Sequence, residues 1–293
     1  MVRDWVWHPW GAAGFTAFIT TVVGVAHYRG TATVVFVLMC ALVAGGLYAG
    51  LGLTAMGELG FIHLWRQQMT WEMYRDRAWE PHEADMEAQV EQMRKVEARV
   101  AAFVAAHDMH RITLAVTGAR IGWAGDANSA RTSKTLGHIE LGLIWFFPEG
   151  QPALAYIVEH ELAHIQRNDS VHQLFLTSGV AVSTVACTGL LPFPYAAMTI
   201  ALLFAARSAV GWWKELACDT IAARQCGRPA TVRALTLHLD ERRAKPKRLR
   251  YLSAVRGLRS HPPLLLRHWW IRHAPALPAT DAAAPTALWN IGR

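Results

Sequence analysis

The stretch from Tyr156 to Ser170, Y-I-V-E-H-E-L-A-H-I-Q-R-N-D-S, decides how this chain is read. It contains H-E-x-x-H, with His160, Glu161 and His164. On a helix, positions i and i+4 share a face one turn apart, so both imidazoles point the same way. Two rings so placed reach one Zn²⁺ at about 2.0–2.1 Å each. Glu161 follows the first ligand. It can take a proton from a water at the ion, but it is not placed to be a third ligand. Pro152 suits a first helical turn, and Leu154, Ile157, Val158, Leu162 and Ile165 keep helical spacing. A surface helix that carries two His and a Glu by chance fits poorly, because apolar residues flank the motif on both sides.

Working outward, the composition points to a membrane. Only 17% of the 293 residues are charged and 53% are hydrophobic, with 13 Trp; an average globular chain has about 25% charged residues. Trp5, Trp7 and Trp10 open the chain as interfacial aromatics. Trp10 to Tyr28 is expected to be a retained first membrane helix. Thr31 to Met56 is 26 residues without a charge, beyond the roughly 20 needed to cross a bilayer. Gly46 and Gly50 are expected to let another helix approach. Gln173 to Leu191 and Tyr195 to Trp213 form a second apolar pair, turned at Pro192-Phe193-Pro194. Arg207, near the end of the last span, is expected to snorkel toward the interface.

Between the hairpins the pattern changes. Glu83 to His107 reads as a charged helix with an apolar stripe of Met86, Val90, Met93, Val96, Val100, Phe103 and Val104. Arg111 to Thr117 alternates like a half-buried strand. Gly125 to Lys134 reads as a polar loop and Leu136 to Phe147 as a further strand. That last strand is either an ordinary sheet strand or an edge that pairs with an extended substrate. The four cysteines, Cys40, Cys187, Cys218 and Cys226, form no C-x-x-C and are expected to be reduced thiols.

Charge placement sets the expected topology. Residues 57–172 hold eleven Lys and Arg and residues 214–293 hold fifteen, against one and none in the two turns. By the positive-inside rule both large segments are cytosolic, as are the two termini. Arg29 and Pro194 then face outward, and His138 and Arg250 inward. The basic run from Arg242 to Arg259 reads as a segment touching anionic lipid rather than nucleic acid. The Ala/Pro-rich residues 274–293 read as a loose tail. The chain thus divides into a membrane hairpin (1–56), a cytosolic part with the H-E-x-x-H helix (57–172), a second hairpin (173–213), a further cytosolic part (214–273) and the tail.

Catalytic zinc needs three protein ligands and an open position. After the last span comes K-E-L-A-C-D, residues 214–219, with Glu215 and Asp219 at i, i+4. Glu215 can supply an oxygen ligand, and Asp219 can stand behind a ligand His and fix its tautomer. Cys218 is a softer possible ligand, or a small buried hydrophobe. Asp169 is another candidate to back a His or to end the helix.

With these residues the chain resembles the membrane zinc metallopeptidases of the HtpX and type I CAAX prenyl protease family. That family carries H-E-x-x-H, a distal Glu-x-x-x-Asp, and a His-Pro followed by Arg. Here these are His160–His164, Glu215–Asp219, and His261-Pro262 with Arg267. The likeness covers about residues 110 to 270, and two spans between the H-E-x-x-H helix and the Glu is the HtpX-like order. The chain reads Asn128-Ser129-Ala130 where that family has an Asn-Ala signature. The resemblance implies that Glu215 is the third zinc ligand and that His261 and Arg267 approach the substrate carbonyl or the oxyanion. The chain is also similar to BlaR/MecR-type signal-transducing peptidases, which carry H-E-L-x-H-x-x-R-x-D and Glu-x-x-Cys-Asp. Arg167, Asp169 and Cys218 fit those forms, although the outer turns leave no room for a sensor domain.

The expected fold class is α+β, mainly α, with about four integral membrane helices and a zincin-type metallopeptidase domain. The expected activity is zinc-dependent cleavage of membrane proteins or peptides at the cytosolic face of the cell membrane. A membrane scaffold without catalysis is the alternative from another class.

Overall fold

The computed structural model describes residues 9–65, 69–70, 83–117, 127–131, 135–147, 150–244, 248 and 261–273. Trp5, Trp7, Arg250, most of the basic run after Ala244, and the tail lie outside them. The fold is mostly helical, with one small sheet. The helices are α1 (Pro9–Tyr28), α2 (Val34–Trp65), α3 (Glu83–Ala106), α4 (Gln151–Arg167), α5 (Asp169–Leu190), α6 (Phe193–Cys226), α7 (Arg228–Ala244) and α8 (Leu264–His273). The strands are β1 (Met69–Thr70), β2 (Arg111–Thr117), β3 (Ala127–Arg131) and β4 (Leu136–Gly142). A short 3₁₀ turn, Leu143–Phe146, follows β4.

The chain forms two compact units, one from residues 1–58 and 170–211, the other from 59–169 and 212–293. In the first unit the turn between α1 and α2 is tight. Gly30 closes it at φ +66°, a left-handed conformation that glycine adopts without cost. The helices pack through small residues, but not the pair expected from sequence. A Cβ on Gly46 or Gly50 would meet no described residue within 4 Å, whereas one on Gly45 would lie 2.2 Å from Val182 and one on Gly189 would lie 2.6 Å from Val23 and Val37. Phe18, Val35, Leu42, Phe175, Met198 and Leu202 instead point outward.

Two helices, α5 and α6, are long and apolar enough to cross a membrane; the apolar parts of α1 and α2, Ala13–Tyr28 and Val34–Gly50, are shorter. Arg207 does not snorkel. It is buried, and its Nε and Nη2 each lie 3.4 Å from the Thr177 hydroxyl, so it faces α5. A cation in an apolar layer gains more from a polar partner than from an apolar one.

In the second unit the sheet order is β1-β2-β4-β3. Strand β4 runs parallel to β2 and antiparallel to β3. It is therefore interior, and the edge beside it is β3, which sequence reading had placed in a polar loop. The residues after Gly142, expected to continue the strand, turn into the 3₁₀ helix. Helix α4 packs against β3, β4, α3 and α7. Its Leu154, Tyr156, Val158, Leu162 and Ile165 share a core with Met93, Val96, Val100 and Phe103 of α3, and with Ile139 and Leu141 of β4. Each fully buried aliphatic side chain contributes about 1.5–3 kcal/mol.

That burial carries Glu159, beside the motif, into the core as well. Arg99 of α3 meets it in a two-pronged ion pair, with Nη2 donating to Oε2 at 2.8 Å. Removing one partner of such a buried pair typically costs about 3–5 kcal/mol, because the other is left uncompensated. The pair therefore fixes how α4 is rotated, and with it where His160 and His164 point.

Candidate metal centre

Three elements of the second unit bring the predicted residues together. Helix α4 presents His160, Glu161 and His164, with Pro in its first turn as expected. Asn168 ends it in a left-handed conformation at φ 55°, and its N–H caps the carbonyls of His164 and Ile165. This sharp stop lets Asp169 fold back on the helix just left. The far end of α6 supplies Glu215 and Asp219. The segment before α8 supplies His261, and α8 supplies Arg267.

The geometry is convergent. The two Nε2 atoms face each other at 3.2 Å. Glu215 completes a triangle, with Oε2 at 3.5 Å from His160 Nε2 and Oε1 at 3.4 Å from His164 Nε2. Tetrahedral ligands at zinc bond lengths stand roughly 3.3 Å apart, so the three separations suit one ion. The His160, His164 and Glu215 donors lie within 4.8 Å of one another.

The far sides of the rings make the same point. His164 Nδ1 is 3.0 Å from Oδ2 of Asp169. His160 Nδ1 is 3.0 Å from Oδ1 of Asp219, at a bent angle. An ionised carboxylate only accepts, so each Nδ1 carries the hydrogen and a neutral ring turns a lone pair through Nε2. Two lone pairs face to face repel unless a cation lies between them. The donor set therefore fits a bound divalent metal.

In the ion-free chain, protons take that role. Burial works against a charged His160, but Asp219 and Glu215 outweigh it and raise the pKa above the ordinary histidine value. Burial also opposes a charged His164; Asp169, Cys218 and Glu215 overcome it and hold the pKa well above ordinary. Metal and protons thus compete for Nε2, and metal affinity falls as the pH falls.

Sequence reasoning gave no role to Tyr156, one turn before His160. Burial pushes its pKa well above the ordinary tyrosine value, so it keeps its proton. The hydroxyl donates to Asp219 Oδ1 at 2.6 Å and accepts from Arg267 Nη2 at 2.8 Å. Arg267 also donates Nε to Asp219 Oδ2 at 2.8 Å, and its Nη1 lies 3.7 Å from Glu215. The resemblance implies that this guanidinium approaches the substrate carbonyl or the oxyanion. In the structure it clamps Asp219, which is fully buried, and so steadies the carboxylate behind His160. The recoverable signal was the spacing Y-x-x-x-H, which puts the phenol on the ligand face.

His261 is largely exposed, with Nδ1 3.1 Å from Glu215 Oε1. Cys218 lies behind His164, its sulfur 3.4 Å from Nδ1 and 3.5 Å from Asp169; it is on the wrong side of the ring to share an ion with Nε2. All four cysteines are free thiols. Glu161 is only 6% exposed, yet its carboxylate makes no hydrogen bond or ion pair with any described residue. It acts on His164 through space. Comparison with known protein families, curated proteins and solved structures finds no match to this chain.

Proposed function

We propose that the protein is an integral membrane zinc endopeptidase that cleaves membrane proteins or peptides at the cytosolic face. One observation carries this reading: two imidazole Nε2 atoms and a carboxylate converge on one point, and Glu161, the residue after His160, makes no hydrogen bond or ion pair with any described residue. A scaffold needs neither feature. On this reading the second unit is a zincin-type peptidase domain of the HtpX-like kind, and His160, His164 and Glu215 hold Zn²⁺. The bound ion supplies Lewis-acid chemistry, polarising oxygen and offsetting negative charge as it develops.

The chain's own residues do the rest. Asp169 and Asp219 fix the two rings, and Tyr156 and Arg267 fix Asp219. Glu161 takes a proton from the attacking water onto a carboxylate oxygen and returns it to the leaving amine. His261, exposed beside Glu215, is the group within reach of the substrate carbonyl. An extended substrate lies along β3, the sheet edge beside α4. Purified protein is expected to hold about one zinc per chain and to cleave an unstructured protein such as casein. Zinc-free protein with unchanged proteolysis would overturn the reading.

The membrane part of the proposal takes all four apolar helices as spans. Helix α6 has 34 residues, about 51 Å at 1.5 Å per residue, against a hydrocarbon core of about 30 Å. Its first part crosses as residues 195–213, and its remainder brings Glu215 and Asp219 out on the cytosolic side. Cysteines placed at Arg29 and Pro194 should react with an impermeant thiol reagent on intact cells, and one at Arg243 should not. Reaction at Arg243 from outside would reverse the orientation. A regulatory role of the BlaR/MecR kind draws on a separate observation. Arg167, Asp169 and Cys218, the residues particular to that pattern, cluster behind His164.

A further inference from the structure

We propose that the outer face of α8 is a membrane-docking surface that rests among anionic lipid headgroups beside the cytosolic end of α6. The inference rests on the reading that α6 crosses the bilayer up to Trp213. Helix α8 has two faces. Toward the protein, Ile271 is buried, Arg267 clamps Asp219, and Trp270 donates its indole N–H to Thr220 at 3.0 Å. Leu265, Trp269 and Arg272, at i, i+4 and i+7, share the opposite face. Leu265 is 64% exposed and Trp269 53% exposed, while Arg272 and His273 are exposed in the last turn. Trp269 stacks on His273 with ring centroids 5.1 Å apart.

Single exposed apolar residues are common and mean little. Continuity distinguishes this pair. Trp213, itself 62% exposed, meets Trp270 edge-on at 6.3 Å. Trp213 closes the apolar run of α6, where aromatic side chains mark the boundary between hydrocarbon and water. Helix α8 therefore lies at the depth of that boundary. An amphipathic helix at such a depth buries its apolar side chains at the acyl margin and keeps its cations among the headgroups. Arg272, exposed at the end of the stripe, supplies a cation that matches the negative surface of a cytosolic leaflet. The same helix carries Arg267, so the lipid surface and the metal centre share one rigid element.

The test uses the full chain with Cys40, Cys187 and Cys226 replaced by Ala, in nanodiscs containing phosphatidylglycerol. Nitroxide labels are placed singly at L265C, W269C, L202C and R243C. Collision with oxygen, which concentrates in lipid, is compared with collision with a water-soluble nickel chelate. The label at 202 should show the highest oxygen-to-nickel ratio, those at 265 and 269 intermediate ratios, and the label at 243 the lowest. If 265 and 269 match 243 while 202 stays lipid-like, the docking inference is overturned and the span reading stands. If 202 is also water-exposed, both fall. If 265 and 269 are shielded from both reagents, a protein covers the face and the lipid inference is overturned.

Discussion

Glu161→Gln is expected to keep zinc content at the wild-type level while lowering peptide hydrolysis by roughly 10²–10⁴-fold, the usual size of lost general-base catalysis. The two effects separate because of where Glu161 sits. The donors that converge are His160, His164 and Glu215, so Glu161 is outside the ligand triangle and its loss removes no ligand. Glu161 is little exposed as a residue, yet no described residue bonds to its carboxylate. A carboxylate kept for a structural role is ordinarily hydrogen-bonded or paired. Gln has the same volume and still hydrogen-bonds a water, but it has no site that accepts a proton at neutral pH. Folding should be unaffected, because no ion pair among the described residues is broken. Metal analysis and initial rates on the same preparation check the result. Wild-type turnover in this variant would remove Glu161 as the base. Wild-type and variant proteins that are both zinc-loaded and inert toward membrane and unstructured substrates would favour a scaffold.

The parts of the site that could be read in the sequence are those fixed by local helical geometry. His160, Glu161 and His164 fall within one turn, and Glu215 and Asp219 within another, so spacing alone puts each group on one face. The partners that orient them come from far along the chain. Arg99 meets Glu159 across 60 positions and Arg267 meets Tyr156 across 111, and no local pattern encodes such pairs. Strand β3 was missed for a related reason. Ala127–Arg131 has no apolar alternation, and it is a strand because β4 pairs with it. The small-residue contact was displaced by one position. Adjacent glycines on a helix differ by about 100° in direction, so only packing tells Gly45 from Gly46. Arg207 turned inward because Thr177 lies across from it, a fact of the neighbouring helix rather than of its own.

Glu215→Ala should cost the site more zinc affinity than any change behind the ligands. Loss of an outer partner of a metal ligand typically lowers affinity about 10–100-fold, and that range is expected for Tyr156→Phe, which removes one hydrogen bond to Asp219. Glu215 differs in kind. It faces both Nε2 atoms at 3.4 and 3.5 Å, and without it the ion keeps two protein ligands where a catalytic site needs three. The negative charge it brings is also lost, while Arg267, 3.7 Å away, remains to repel a cation. The deficit should therefore exceed the Tyr156→Phe range, which competition with a chromogenic chelator at fixed pH would resolve. Neither Asp219 nor Cys218 stands ready as a substitute ligand. Asp219 is committed to Arg267, Tyr156 and the far side of His160, and the Cys218 sulfur lies against His164 Nδ1, behind the ring. Retention of wild-type zinc affinity in Glu215→Ala would show that the ligand triangle is drawn wrongly. A loss no larger than that of Tyr156→Phe would place Glu215 among the outer partners.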